Sequence, residues 1–385
     1  MWSPSGDVFA DAGGYALKYL SEKYPEKDIL ELIEFATNIY VDKWVKSIYQ
    51  FFPNCPILQN KGNPIKQKED TIKYFISLLN NQNAVNVDYC RILGFKTELF
   101  LARRNNSILT GAGSFANCHH SFEDGLPVSK EVIIRFYFLP FGSEMLCGKL
   151  CVIHSSNSLT SELYVRQCCD SNIKQIGQNI TDSISNNYSQ NVSTAIFRFL
   201  DTVFLNIQNE EFEYITLYNY TNYNQGPDLQ VYYLPFEAFD FYRETQRSIY
   251  KDSWNKFVAR YYGGEKNPYD EASNTISYKK KTVGESEFKY WKNTIYERLI
   301  NQQSILPQIL EWSMDNLFNI NLVKCYLYNI LKMKKESIDK IMMLADFVVE
   351  QEEIVATLGA TNDKVNIENA IKMYKDSGAI CEDKQ

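Results

Sequence analysis

Two hydrophobic periods alternate along the chain as far as Pro235, and only the helical one is expected beyond it. Upstream, Ile29, Leu32, Ile33, Ala36, Tyr40, Trp44, Val45 and Ile48 recur at helical spacing between Asp28, a capping residue type, and Pro53,. The run therefore predicts one helix from Asp28 to Phe52, closed by the proline. A second, shorter amphipathic helix is expected from Glu69 to Asn80. Between them Asn60–Lys68 has the Lys, Gly and Pro content of a loop,. Ile215–Tyr220 and Leu229–Leu234 are rich in β-branched and aromatic residues, and Asn224-Gln225-Gly226-Pro227 separates them as a turn. This pattern predicts a β-hairpin,. Leu150–Ile153 is expected as a short strand, and helices are expected over 159–183, 193–208 and from Phe236 to Tyr262, where Gly263-Gly264 stops the last.

A polar, Lys-rich linker is expected over 265–286, followed by helical periodicity to the end. The fold class is therefore α+β: a mixed domain over 1–264 with helices and a small antiparallel sheet, then the linker, then an all-α bundle over 287–385. Two domains suit 385 residues, a length at which single cores stop growing,.

The nine cysteines, an odd number without a secretory signal, predict reduced thiols and a cytoplasmic location,. No run reaches transmembrane length, so no membrane partner is expected. The formal charge of −7 argues against a protein that binds nucleic acid unaided, since such a chain carries a basic face,. The balance is uneven, however. Residues 241–300 hold 12 Lys and Arg against 8 acidic residues, and 341–385 hold 4 against 9. The middle is the DNA-facing candidate and the tail is not.

Within this frame the candidate contacts are basic and amide-bearing. Arg103, Arg104, Asn105 and Asn106 lead into a long polar stretch ending at Gly125. Arg can fork onto phosphate or guanine and Asn can pair with adenine, although Arg at a helix C-terminus has a purely structural use,. Lys61, Lys66 and Lys68 on the first loop, and Lys279, Lys280 and Lys281 in the linker, are the types that hold phosphates. Such runs are also the ordinary content of solvated surface. Asn224 and Gln225 at the hairpin tip are a second reader or wedge.

Catalytic signals are weak. No phosphate-binding loop, dinucleotide fingerprint, nucleophile elbow or His-Glu-x-x-His occurs, and no cofactor is expected,. The most metal-like spacing is Cys147, Cys151 and His154, with Cys118, His119 and His120 as partners. Buried thiols explain it more simply than tetrahedral zinc, so no metal and no catalytic residue is expected,.

Gly6–Gly14 with its Asp11-Ala12-Gly13, Leu109-Thr110-Gly111 through Gly125-Leu126-Pro127-Val128 to Leu139-Pro140-Phe141-Gly142, and Ile215–Tyr218 with Gln225–Asp228 and Tyr233-Leu234-Pro235 occur in order. Together they resemble the large subunit of the CRISPR type I-B Cascade, in its branch of short large subunits. Trp254 and Phe257 are compatible with it. The resemblance implies a non-enzymatic subunit of an RNA-guided complex. It would recognise the protospacer-adjacent motif, help open double-stranded target DNA and contact backbone and small subunits around the guide RNA. It would also present a surface to a helicase–nuclease or to transposition proteins. On this likeness Arg104→Ala is expected to weaken target-DNA binding without disturbing assembly. Family members often carry a zinc ribbon of two Cys-x-x-Cys pairs. Here Cys90 keeps one position while Leu93, Ser129 and Val132 take the others, which implies a zinc-free ribbon,. The alternatives are a scaffold subunit of another multi-protein complex and a hydrolase using Cys118, His119, His120 or His154.

Overall fold

The computed structural model describes residues 3–52, 63–103, 106–108, 125–180, 182–206, 213–223, 226–264 and 266–357. The chain forms two compact units, residues 1–239 with 254–305, and 240–253 with 306 onward.

The first unit opens on α1 (Val8–Lys23), capped by Asp7, whose carboxylate accepts the N–H groups of Phe9 and Ala10,. The first helix expected from the sequence begins at Asp28, so α1, with Gly13-Gly14 inside it, is an addition. Gly13 stands there for a packing reason. A Cβ on Gly13 would lie 1.8 Å from the Arg135 carbonyl oxygen, so only glycine lets the neighbouring helix approach this closely,. Asp11 is buried beside it, accepts the Ser5 and Gly6 N–H groups at 2.7 and 3.0 Å, and lies 3.5 Å from the buried Arg135 guanidinium. The Asp-Ala-Gly signature thus serves helix packing and ties down the N-terminal strand of chain.

The helix expected from Asp28 to Phe52 is two: α2 (Ile29–Asp42), with the expected Asp28 cap completed by Glu31 into a capping box, and α3 (Val45–Phe51),. The break falls where the Lys43 and Trp44 N–H groups both turn back to the Ile39 carbonyl. Fully buried Trp44 then packs 4.9 Å from Phe141 and 5.8 Å from Tyr40. α4 (Pro64–Leu79) begins earlier than expected, because Asn63 caps it and Pro64 occupies the first turn, where its missing N–H costs nothing,. Lys66 and Lys68 therefore ride on a helix, not on a loop.

Next come β1 (Asn86–Tyr89), β2 (Lys96–Ala102) and β3 (Leu126–Val128), an antiparallel sheet in that order, and the apolar α5 (Lys130–Phe138) with a tight 3-10 turn over Leu139–Gly142. A mixed five-stranded sheet follows. Its members are β4 (Glu144–Leu146), β5 (Lys149–Ser155), β6 (Asn186–Asn187), β7 (Ile215–Tyr223) and β8 (Gly226–Leu234), in the spatial order β6-β4-β5-β7-β8. All pairs are antiparallel except β4 with β6. α6 (Ser158–Gly177) and α7 (Val192–Asn206) lie between these strands in sequence; α7 is close to its expected bounds, while α6 stops at Gly177, short of the expected 183. Phe9 of α1 meets Tyr220 and Tyr218 edge-on at 5.0 and 5.8 Å, joining helix and sheet in one aromatic core,.

Beyond Pro235, α8 (Phe236–Thr245) and α9 (Ser248–Ala259) replace the expected single helix. The expected linker is a folded three-stranded sheet: β9 (Tyr269–Asp270), β10 (Thr275–Tyr278) and β11 (Lys281–Gly284). Its buried Ile276 and Val283 pair across the ladder, while the outward Lys and Thr residues gave the stretch its linker composition. α10 (Glu285–Phe288) and α11 (Thr294–Ile300) also belong to the first unit. Tyr296 stacks on Phe197 of α7 at 4.3 Å, and Thr194 Oγ1 donates to the Trp291 carbonyl. The expected domain boundary at 264–287 is thus corrected to residue 305, with 240–253 joining the second unit. That unit is all helical among the described residues: parts of α8 and α9 with α12 (Leu306–Ser313), α13 (Ile320–Asn329) and α14 (Lys335–Thr357). Phe241 against Tyr326, 5.3 Å apart and both fully buried, lies in its core.

Candidate nucleic-acid interface

Strands β2 and β3 clamp the two ends of the long polar stretch. Phe100 pairs with Val128, Leu101 with Pro127 and Ala102 with Leu126, so the chain leaves the sheet at Arg103 and returns at Gly125. A Cβ on Gly125 would lie 2.9 Å from the Arg103 side chain and 3.0 Å from the Ala102 carbonyl oxygen, so the return point is as tight as the packing allows. Arg103 is exposed at this exit. Arg104, Asn105 and residues 109–124, with Cys118, His119 and His120, lie outside the described residues.

Asn106 was expected to read base edges, but its carboxamide is engaged in the fold. Its Oδ1 accepts the Arg103 N–H at 2.7 Å, and its Nδ2 donates to Tyr74 Oη at 2.8 Å and the Leu101 carbonyl at 3.2 Å. The residue closes the turn and ties it to α4, and Arg103 beside it is exposed. Tyr74 had no signal in the sequence, since one tyrosine among 27 on a helical pattern is unremarkable until its partner is known.

Beside Arg103 a cleft of about 400 Å³ opens between α4, the turn after it and β2. Leu78, Val85 and Phe100 give it apolar walls, and Tyr74, Gln82 and Asn83 give it a polar rim. Ser77 Oγ donates to Gln82 Oε1 at 2.8 Å and accepts from Asn83 Nδ2 at 3.4 Å, which fixes both carboxamides on the rim.

Leu93 and Ser129, two of the positions set beside a zinc ribbon above, meet Cys90 around its thiol. Cys90 is buried and its Sγ accepts the N–H groups of Leu93 at 3.4 Å and Ser129 at 3.2 Å. Ser129 Oγ in turn accepts the Val132 N–H at 3.4 Å. The Leu93 and Ser129 amides point at the sulfur, whereas the Val132 amide turns to the Ser129 hydroxyl. The four positions offer one sulfur, the apolar Leu93 and Val132, and a hydroxyl already used as a helix cap. Zinc needs up to four N or S ligands, so the residues present do not fit it. Among the described residues no group of three or more His, Cys, Asp and Glu side chains could hold a metal ion. Purified protein is accordingly expected to contain far less than stoichiometric zinc, and a chelator is expected to leave its melting temperature unchanged. Atomic absorption with and without chelator, read beside a melting curve, checks both.

The other metal-like spacing does not converge. Cys151 and His154 lie on opposite faces of β5, since successive strand residues alternate,. Burial pushes the Cys151 thiol well up, away from the thiolate that a ligand or nucleophile requires, and pulls the His154 imidazole down,. Cys147 is exposed in the β4–β5 turn with a positive φ of 52°.

The remaining basic residues are scattered. Lys68 pairs with Asp42 at 2.7 Å, whereas Lys66 is exposed on the first turn of α4, and Lys61 lies outside the described residues. Lys279, Lys280 and Lys281 are exposed at the β10–β11 hairpin, with φ of 47° and 66° at the first two. That left-handed turn favours Asn-Gly, and a side chain there costs about 1–2 kcal/mol per residue. Asn224 and Gln225 at the β7–β8 tip lie outside the described residues.

No match to the chain was found among protein-family models, curated proteins or solved structures. No helix among the described residues is long and apolar enough to cross a membrane.

Proposed function

We propose that this chain is the large subunit of an RNA-guided CRISPR type I-B surveillance complex, reading the flanking motif of target DNA and helping to open the duplex. The observation that carries the reading is the pair of chain segments that meet at the Cys90 thiol. Positions 90, 93 and 129, chosen by likeness to a family zinc ribbon, meet at one buried thiol although they lie up to 39 residues apart in sequence. The Asp11 and Gly13 packing adds a second point where the likeness coincides with a specific structural role.

In this reading the protein binds and does not catalyse, in keeping with Cys151 and His154 facing apart. Arg103 and its neighbours Arg104 and Asn105 approach the flanking duplex from the base of the polar stretch, with Asn224 and Gln225 as a second reader. Lys66 and Lys279 to Lys281 hold phosphates, as does Lys61, while Lys68 stays with Asp42. Backbone and small subunits around the guide RNA supply the basic surroundings that a chain of −7 charge lacks,. A helicase–nuclease or transposition protein docks on the outer face, and the complex works in the cytoplasm.

Omitting this subunit from the reconstituted complex tests the reading. Guide-RNA assembly on the backbone is expected to persist, while binding of double-stranded target falls to the non-specific level. Undiminished, motif-dependent binding without the subunit would reject it.

A further inference from the structure

Arg103, Tyr74 and the rim amides surround a cleft whose chemistry is more specific than a basic patch. Its walls are apolar: Leu78 and Phe100 are buried, and Val85 is 52% exposed at the mouth. Gln82 spends its carbonyl on Ser77 and Asn83 spends an N–H on the same hydroxyl. Among the described residues, neither Gln82 Nε2 nor Asn83 Oδ1 has a hydrogen-bond partner, so a donor and an acceptor sit together on the rim. Arg103 stands exposed at the same opening, a single cation beside an otherwise uncharged lining. An apolar slot, an adjacent donor and acceptor, and one cation describe the complement of a single nucleotide: a flat ring with a hydrogen-bonding edge and a phosphate.

The neighbouring sheet face continues the pattern. Val87 and Tyr89 share one side of β1, just after Val85, and the ladder puts Lys96 opposite Tyr89 and Glu98 opposite Val87,. Tyr89 is 64% exposed, an aromatic ring beside an exposed lysine at the free edge of the sheet. A strand entering the cleft can lay its next base on that ring, with a phosphate near Lys96 and the backbone bowed away from Glu98.

We propose that the α4–β2 cleft captures one unpaired nucleotide, its base inserted between Leu78, Val85 and Phe100 and its phosphate on Arg103. The assignment deepens the reading above and rests on it for the source of the strand, an opened target. A cleft of about 400 Å³ has room for one nucleotide and not for a base pair with both its backbones, so it favours single strands and holds an opened duplex apart.

The test uses the full chain and a short fluorescent oligothymidylate, compared at low salt with an abasic strand of equal length and charge. Fluorescence anisotropy is expected to show about tenfold tighter binding of the strand with bases. Val85→Trp, which fills the mouth, is expected to abolish that ratio. Lys174→Ala, exposed on α6 and outside the cleft lining, is expected to leave it intact. If Val85→Trp melts early, the exposed pair Gln82→Ala with Asn83→Ala replaces it with the same expected loss of ratio. Equal affinity for both strands, no binding at all, or a ratio unchanged by these variants overturns the proposal. Failure of the larger reading is distinct: a base-dependent ratio in a chain that has no effect on the reconstituted complex would keep the cleft and discard the complex.

Discussion

Gly13→Ala is expected to unfold the first unit at a temperature lower by on the order of 10 °C, while Gly14→Ala next to it changes little. At position 13 the new methyl would stand 1.8 Å from the Arg135 carbonyl oxygen and 2.6 Å from its carbon. Both are backbone atoms of α5, so relief requires moving a helix, not turning a side chain. Overpacking of this kind costs about 1–3 kcal/mol and more where the backbone must shift. The upper end of that range gives the stated fall for a unit of this size. At position 14 the nearest atoms belong to the Arg135 side chain at 3.4 Å and beyond, a contact it can relieve, and alanine is also the better helix former,. Calorimetric or circular-dichroism melts of the two variants decide the point. Equal melting temperatures would show that the α1–α5 crossing is looser than described.

Arg103→Ala is expected to weaken target-DNA binding by the assembled complex about tenfold or more without altering assembly. Arg103 is exposed at the turn that the Asn106 carboxamide closes, where the chain leaves the sheet. A lost phosphate contact and a lost base contact differ in signature. The first lowers the slope of affinity against salt by about one unit for every sequence, and the second relaxes preference at one position by about 1–3 kcal/mol. Electrophoretic shifts at several salt concentrations, on matched and altered flanking sequences, separate the two. Unchanged affinity at every salt concentration removes Arg103 from the interface.

The contrast between legible and hidden features follows from where each signal resides. The Asp28 cap, the β5 strand, α6, α7 and the β7–β8 hairpin are written locally, in cap chemistry and in runs of one period. α1 was hidden because its glycine answers to Arg135, over a hundred residues away. The β9–β11 sheet was hidden because short strands with one buried face show mostly Lys, Thr and Ser to a composition count, and only Ile276 and Val283 carry the pattern. The Lys43–Trp44 break was hidden because the apolar period continues through it; a buried indole against Phe141 decides the turn.

The same distinction holds at the interface. Arg103 was legible as a cation before a polar stretch, but Asn106 and Arg103 are equivalent on paper and opposite in the fold, one tied inward and one exposed. Lys68 likewise faces Asp42, which a one-dimensional charge count cannot pair with it. The cleft residues Tyr74, Gln82, Asn83 and Val85 come from a helix, a turn and a sheet margin, and no spacing rule joins them.

Purification of the tagged chain under gentle conditions, followed by sequencing of bound RNA, tests the central claim most directly. The account predicts short RNAs sharing one repeat-derived end, together with several copies of a backbone protein. Recovery of the chain free of RNA and of such neighbours, from cells that express all of them, would contradict it.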